Sequence, residues 1–359
     1  MSEVNAYPEW EETVTALVES GGTLMLLGGT DVGKTTFTRL LVNRAVEAGH
    51  RVAIVDADVG QSEIGPPTCV GLAFAEAPVL ALSDLTPHAL AFVGSASPVG
   101  YLLEHAAAVK RLAEQAASPF LVVDTCGYLH GSGARRLHQA TFDLLSPGHV
   151  VALQRRNELD PILAPMRRRD GCRIHTPPVP PVIGRKPPAF RAQRRAMRFA
   201  AHFQNAQMHT YFFDDVALMG TWMGGGTPLA SHLLLFVTQN LASYGRVYYA
   251  EQCEQHLGIM VSHPVPPNAP EIGMISQQLK ARDVTITVAP RLRHLLLGLE
   301  GTNGKLLGLG LLEGLDFRRR TLGVLTPIRA PGAARILRLG ALRIRPDGTE
   351  IGTLKPGDL

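Results

Sequence analysis

The chain has 359 residues, 45% of them hydrophobic, enough for two packed domains of ordinary globular composition. No run of about 18 consecutive apolar residues occurs, so no membrane span is expected, and the acidic start (Glu3, Glu9, Glu11, Glu12) is unlike a signal peptide. The net charge of +4 is uneven: between Arg155 and Arg198 twelve Arg/Lys accompany three acids, making that stretch +9 and the remainder −5, the mark of a polyanion partner or of a solvated arginine-rich face.

Tyr7 to Ser20 is predicted as an amphipathic helix with Trp10, Val14, Leu17 and Val18 on one face, ended by Gly21-Gly22. An apolar strand follows over Thr23–Leu27, then a Gly-rich loop, then a helix from Phe37 to Ala48. A second strand, Arg51–Val55, runs into Asp56-Ala57-Asp58-Val59-Gly60-Gln61 and a Pro-containing loop at Gly65-Pro66-Pro67. Leu90–Val93 is a short strand ending in Gly94-Ser95-Ala96-Ser97-Pro98, and Tyr101–Ala117 is a helix. Phe120–Val123 and His149–Leu153 are further strands, the first ending in Asp124-Thr125-Cys126-Gly127-Tyr128. The basic block is Pro-rich from Pro177 to Pro188 and helical from Phe190 to Phe203, a pattern that fits a mobile lid or a static surface excursion.

Strands alternating with helices imply an α/β domain with a parallel sheet and helices on both faces. The polar clusters fall at strand C-terminal ends, where such folds bind ligands. After residue 206 the pattern changes: Asn303-Gly304 and Asp347-Gly348 are hairpin turn signals among the short apolar runs 284–288, 322–325 and 341–344. The expected organisation is an N-terminal helix (1–22), a P-loop domain (23–206) with an arginine-rich lid at about 154–200, and a smaller β-rich C-terminal domain (207–359). Cys69, Cys126, Cys172 and Cys253 are scattered without metal-ligand spacing and read as free thiols of a reducing, cytoplasmic compartment.

The segment Gly28-Gly29-Thr30-Asp31-Val32-Gly33-Lys34-Thr35-Thr36 fits the phosphate-binding pattern G-x-x-x-x-G-K-[ST], and it lies between a strand and a helix as that loop must. Its glycines let backbone N–H groups turn inward around phosphate, and the helix N-terminus adds partial positive charge. Lys34 reaches the β/γ-phosphates and the Thr35 hydroxyl ligates Mg²⁺. Binding of a nucleoside triphosphate, ATP with Mg²⁺, is the direct expectation. Asp56 and Asp58 are spaced by two, so an extended chain projects both carboxylates to one side. Either one is a general base for an attacking hydroxyl and the other serves the metal, or both hold Mg²⁺ and its waters or cap the next turn. No NKxD-type guanine-reading segment is present, which argues against a GTPase.

Four blocks in order, GGTDVGKTT (28–36), DADVGQ (56–61), VGSASP (93–98) and DTCGYLHGSG (124–133), with the arginine-rich VIGRKPPAFRAQRRAMRFAAHF (182–203), resemble the polynucleotide 5′-hydroxyl-kinase family. That family includes the kinase of the pre-mRNA cleavage complex, the ribosomal-RNA-processing kinases and their archaeal and bacterial relatives. The similarity covers about residues 22 to 206, and GKLLGLGLLEGLDFRRRTLGVLTPI (304–328) resembles the family's trailing domain. The resemblance implies transfer of the ATP γ-phosphate to the 5′-hydroxyl of single-stranded DNA or RNA. It assigns Lys34 to the phosphates, Thr35 and Asp56 to the metal, and Asp58 to the general base, with Gln61 organising metal and water beside the substrate. Ser95 and Ser97 match a segment that clasps the acceptor strand. Tyr128 falls where the family places a base-stacking aromatic; on the residues alone it is as readily a core tyrosine. Arg191 and Arg195 match the catalytic lid, with Arg185 a close rival. About 22 residues precede the P-loop strand, so the N-terminal β-domain of the eukaryotic members is expected to be missing. Two other readings stand: a small-molecule P-loop ligase or kinase, since GTDVGKT also resembles the dethiobiotin-synthetase loop, and a non-catalytic nucleotide-dependent binding module.

Overall fold

The computed structural model describes residues 7–184, 187–355 and 357–359. The chain forms two compact units, Met1–Arg198 and Phe199–Leu359. In the first, α1 (Pro8–Ser20), β1 (Gly22–Gly28), α2 (Lys34–Glu47), β2 (Val52–Asp56), β3 (Cys69–Ala75), β4 (Ala89–Phe92) and α3 (Leu102–Gln115) follow in order. Then come β5 (Phe120–Asp124), α4 (Gly131–Leu145), β6 (His149–Leu153), α5 (Asp160–Met166), β7 (Arg173–His175) and α6 (Pro188–Phe203). The sheet order is β4-β3-β2-β5-β1-β6-β7.

Five strands, from β2 to β7 along that order, are parallel as expected. β3 is antiparallel to both β2 and β4, so the sheet is mixed at one side. The reason is the connection: the segment between β2 and β3 contains no helix, and a parallel return needs a crossover, usually helical. The central strands are buried on both faces and sort their side chains by alternation. Leu24 and Leu26 of β1 join Trp10, Leu17, Phe37 and Leu41 on one side, while Met25 and Leu27 join Phe142 and Leu163 on the other. Ala53 and Val55 of β2 likewise meet Val109 and Leu112 of α3. Parallel register brings the strand ends to one edge, with Asp56 opposite Asp124, Asp124 opposite Leu26, and Gly28 opposite Leu153.

The second unit holds β8 (Gln207–Phe212), β9 (Ala217–Met219), β10 (Thr227–Pro228), α7 (Ser231–Asn240), β11 (Val247–Cys253), β12 (His256–Val261), α8 (Pro270–Leu279) and β13 (Asp283–Val288). It continues with β14 (Leu295–Glu300), β15 (Leu306–Asp316), β16 (Thr321–Thr326), β17 (Ile336–Ile344) and β18 (Glu350–Thr353). One sheet runs β10-β11-β12-β13 and the other β18-β17-β14-β15-β16-β8, with β9 beside β17. This is the expected β-rich region. Asn303-Gly304 lies in the β14–β15 turn and Asp347-Gly348 in the β17–β18 turn, both antiparallel pairs. Among the described residues no helix is long and apolar enough to cross a membrane.

Candidate active site

The phosphate loop leaves β1 at Gly28 and enters α2 at Lys34, three residues before the helix start drawn from the sequence. Gly33 is the N-cap, with φ of 92° in the left-handed region that only glycine adopts freely. A Cβ there would strike the Ile183 side chain and come within 3.1 Å of Trp10. The buried Lys34 turns back on its own loop, and its Nζ donates to the carbonyls of Gly28 and Gly29, each at 3.0 Å. Thr35 Oγ1 donates to Asp124 Oδ2 at 3.1 Å. Asp124 is buried, and its Oδ1 has no hydrogen-bond partner.

That last arrangement bears on Mg²⁺. The ion takes one or two oxygen ligands from a protein and completes its octahedron with phosphates and waters. A Thr hydroxyl beside a carboxylate with an orphaned oxygen, at the mouth of a phosphate loop, fits those needs. Desolvation, more than any neighbouring charge, pushes the Asp124 carboxyl up to about 6, with the Lys34 cation opposing. No group of three His, Cys, Asp or Glu forms a metal cluster among the described residues.

Asp56, which the resemblance assigns to the metal, has a different environment. Its Oδ2 accepts the backbone N–H of Ile64 at 3.0 Å, that of Glu63, and the Ser62 hydroxyl at 3.3 Å. Its Oδ1 accepts the Asp58 N–H at 3.0 Å. The carboxylate therefore organises the turn after β2, and the residue that meets Thr35 is Asp124. Burial, then the charge of Asp124, raises the Asp56 carboxyl to about 7. Asp58 is half-buried and lies two residues further out. Its Oδ1 accepts the N–H groups of Gly60 and Gln61 at 3.1 and 3.0 Å, while Oδ2 accepts none among the described residues.

The clasp segment abuts this turn. A Cβ on Gly60 would sit 2.7 Å from the Ala96 carbonyl oxygen, so only glycine lets the 56–61 and 93–98 loops approach. Ser95 is buried and its Oγ accepts the Ser97 N–H at 3.2 Å; Ser97 is exposed and its Oγ accepts the Val99 N–H at 3.3 Å. Tyr128 packs instead between α3 and α4, half-buried against Ala106, Leu137 and Leu102. Two buried histidines anchor strand ends by donating to main-chain carbonyls: His105 Nε2 to Ala57 at 2.7 Å and His138 Nε2 to Tyr128 at 2.8 Å. Desolvation lowers both imidazoles, His138 to about 4, so both are neutral.

Helix α6 points arginines at the phosphate loop and at the turn after β2. Arg191 Nη1 pairs with Asp31 Oδ2 at 3.0 Å, and Arg194 Nη2 reaches both oxygens of Glu63 at 2.6 Å. Arg198 Nη2 donates to the carbonyls of Glu63 and Gly65 at 2.7 and 2.9 Å. Gln61 Nε2 donates to the Gly60 carbonyl at 2.6 Å and approaches that of Arg191 at 3.4 Å. A cavity of about 370 Å³ is lined by Lys34, Thr35, Thr36, Asp58, Gln61 and Glu63 with Arg191 and Arg194. Arg195 is half-buried and lines neither this cavity nor its neighbour. Arg185 lies outside the described residues. The neighbouring cavity, about 680 Å³, shares Gly29, Thr30, Asp31 and Arg191 and adds Val32, Arg155 and Arg156 from the far side of the loop. Glu158, which accepts the N–H groups of Arg155 and Arg156 at 2.8 and 2.9 Å, fixes that wall.

Three residues at this site escape a reading of the sequence alone. Asp124 carries a signal, four apolar residues and then an acid, but only the β1–β5 register sets it beside the phosphate loop. Glu63 and Arg194 meet across 131 positions of chain, and no local pattern announces that pair.

The chain is similar to known proteins over most of its length. The family model of the mRNA cleavage and polyadenylation factor CLP1 P-loop matches residues 28–205. A polyribonucleotide 5′-hydroxyl-kinase of Methanocaldococcus jannaschii is 31% identical over 92% of this chain and 89% of its own. One from Pyrococcus horikoshii is also 31% identical, over 92% of this chain and 88% of its own. Among solved structures, Clp1p in complex with Pcf11p superposes with a TM-score of 0.58 at 13% identity, over 92% of this chain and 77% of that one, a likeness of fold.

Proposed function

The chain belongs to the polyribonucleotide 5′-hydroxyl-kinase family of P-loop phosphotransferases, and from that membership we propose how its residues move the γ-phosphate of ATP to the 5′-hydroxyl of a single-stranded polynucleotide. The observation that carries the proposal is one cavity bounded by Lys34, Thr35, Asp58, Arg191 and Arg194. A phosphate grip, a carboxylate base and two guanidinium groups face the same space.

Phosphoryl transfer asks for in-line positioning, charge neutralisation and a base for the attacking hydroxyl. The loop amides and Lys34 hold the β- and γ-phosphates once Lys34 exchanges its two carbonyl partners for phosphate oxygens. Thr35 and Asp124 are the residues suited to Mg²⁺, which when bound neutralises phosphate charge. Asp58 is the base: its Oδ1 is fixed by the Gly60 and Gln61 amides, and its Oδ2 is available for the 5′-hydroxyl proton. Gln61, on the same turn, steadies the acceptor side. Arg191 and Arg194 turn from Asp31 and Glu63 to the transferring group, where charge develops. The loop at Ser95 and Ser97, pressed against Gly60, is placed to hold the acceptor strand. Packing among α3 and α4 favours a structural role for Tyr128.

The direct test supplies γ-labelled ATP and a 5′-hydroxyl oligonucleotide to the wild-type chain and to Lys34→Ala. Label should pass to the oligonucleotide with the wild type and not with the folded variant. Undiminished labelling by Lys34→Ala contradicts the mechanism, and label passing only to a small molecule contradicts the substrate.

A further inference from the structure

The second unit contains a cleft of about 660 Å³ that the transfer chemistry does not use. Its size is in the range, about 300–1,000 Å³, of pockets that accept small ligands or parts of larger ones. Arg246 enters from the start of β11, Arg293 from the turn after β13, and Arg318 from the turn after β15. All three are exposed. Two acids also line it, but both are already engaged. Glu313 accepts Arg293 Nε at 3.3 Å and His294 Nδ1 at 2.8 Å. Asp316 Oδ1 accepts the backbone N–H groups of Arg318 and Arg319, each at 3.0 Å. Arg246 and Arg318 have no carboxylate partner among the described residues.

The positive charge extends beyond the rim. Arg343 Nε donates to the Arg293 carbonyl at 3.2 Å, and burial followed by the like charge of Arg291 lowers its guanidinium from the ordinary value. Residues 282–345 carry twelve Arg/Lys against four Asp/Glu. Arg293, Arg319, Arg320 and Arg338 have carboxylate partners in Glu313, Asp316, Asp214 and Glu300, but the balance of the stretch remains positive, which suits an anion supplied from outside. The cleft also offers an aromatic face. Tyr248 is 43% exposed and lines it, at the point where the pairing of β11 with β12 shifts register between Val247 and Tyr249. Phe317 forms wall rather than platform: Tyr249 stacks on it with centroids 4.7 Å apart and Phe213 at 6.0 Å. Guanidinium groups for phosphates beside one open ring for a base is the chemistry that holds single strands without reading sequence.

We propose that this cleft is a second nucleic-acid contact, which holds a stretch of the substrate strand away from its 5′ end through Arg246, Arg318 and Tyr248. The identity of the polymer rests on the polynucleotide-kinase reading; the cleft's chemistry does not. An oligonucleotide too short to occupy both sites gains nothing from the cleft, whereas a long one gains the affinity of a tethered second contact.

The test measures binding of 5′-phosphorylated single strands, a trinucleotide and a long one, by fluorescence anisotropy, and the kinetics of their 5′-hydroxyl counterparts. The chains compared are wild type, Tyr248→Ala and the double variant Arg246→Ala/Arg318→Ala, with thermal midpoints as a check on folding. Each variant should raise Kd and KM for the long strand by about 5- to 100-fold, with kcat and the trinucleotide KM unchanged. The double variant should also flatten the logarithmic salt dependence of long-strand Kd by about 1 to 2. Unaltered long-strand affinity in both variants, as expected if the cleft takes an acidic protein, overturns the proposal. So does equal weakening of long and short strands. Because the phosphorylated strands need no transfer, their binding reads the cleft even if the chain phosphorylates no 5′-hydroxyl, an outcome that counts against the proposed function alone.

Discussion

Asp56 and Asp124 close adjacent parallel strands, stand opposite one another in register and are equally buried. Their loops give them different work. The chain after Asp56 folds back and offers backbone N–H groups from Asp58, Glu63 and Ile64, so both carboxylate oxygens are consumed by the protein. The chain after Asp124 moves off toward α4, leaving one oxygen for Thr35 and the other without a partner. A strand end delivers a carboxylate to the ligand edge of an α/β sheet, and the following loop decides whether that carboxylate holds the fold or a ligand. Asp58 is the product of that folding back: Asp56 builds the turn that aims it.

The contrast can be broken first at Asp124. Asn there keeps the shape and removes the charge, so transfer should fall by at least about 10²-fold while the folded chain, relieved of a desolvated carboxylate, loses no stability. Steady-state kinetics with a thermal midpoint read both effects; normal turnover means that Thr35 and Asp124 are not the metal's residues. A second, smaller effect separates the arginines of α6. Arg194→Ala should lower kcat by about 10-fold or more, since the cavity includes it, and Arg195→Ala should stay within about threefold. Equal losses at the two positions, measured as kcat at saturating ATP, contradict the assignment.

Asp56→Asn should show the opposite signature to Asp124→Asn. An amide cannot accept at both positions, so either the Asp58 N–H or those of Glu63 and Ile64 are orphaned, at a cost of about 1–3 kcal/mol of stability. Chemical denaturation without nucleotide checks this; an unchanged midpoint means that the turn does not depend on Asp56. The same residue sets a limb of the pH profile. Buried His105, His138 and His202 have lowered imidazoles and gain protons on unfolding, so stability rises with pH up to about 6.5. Asp56, raised to about 7, and Asp124, raised to about 6, keep their protons in the folded chain after the unfolded chain has lost them, so each opposes that rise from about 4 up to its folded value and adds no slope above it. The Asp56→Asn profile should therefore rise more steeply between about pH 4 and 7 than the wild-type profile. An unchanged slope in that window contradicts the raised carboxyl at Asp56.

How much of this was legible follows from the range of the interactions. The phosphate loop is local: nine consecutive residues, a strand before and a helix after, suffice for Lys34 and Thr35. The hairpins at Asn303-Gly304 and Asp347-Gly348 are local too, because each turn demands its own residues. β3 carries no local strand signal, since Cys69-Val70-Gly71-Leu72-Ala73-Phe74-Ala75 has small residues and no polar alternation; its antiparallel neighbours define it. The role of Asp56 depends on amides seven and eight residues later, and the placing of Arg194 on a partner far along the chain. Tyr128 sits at the strand end where a stacking ring is expected, yet its side chain goes where α3 and α4 leave room. Arg246, Arg293 and Arg318 become neighbours only when three separate turns converge on one cleft.

We propose Asp58 as the base, aimed by Asp56 and not replaced by Asp124. The measurement is the single-turnover rate of γ-phosphate transfer to a 5′-hydroxyl oligonucleotide by Asp58→Asn, with ATP affinity determined on the same preparation. Loss of at least about 10²-fold in rate, with nucleotide affinity within a few-fold of wild type, is the predicted result. A near-normal rate in Asp58→Asn, with ATP still bound, contradicts it and moves the proton to another group.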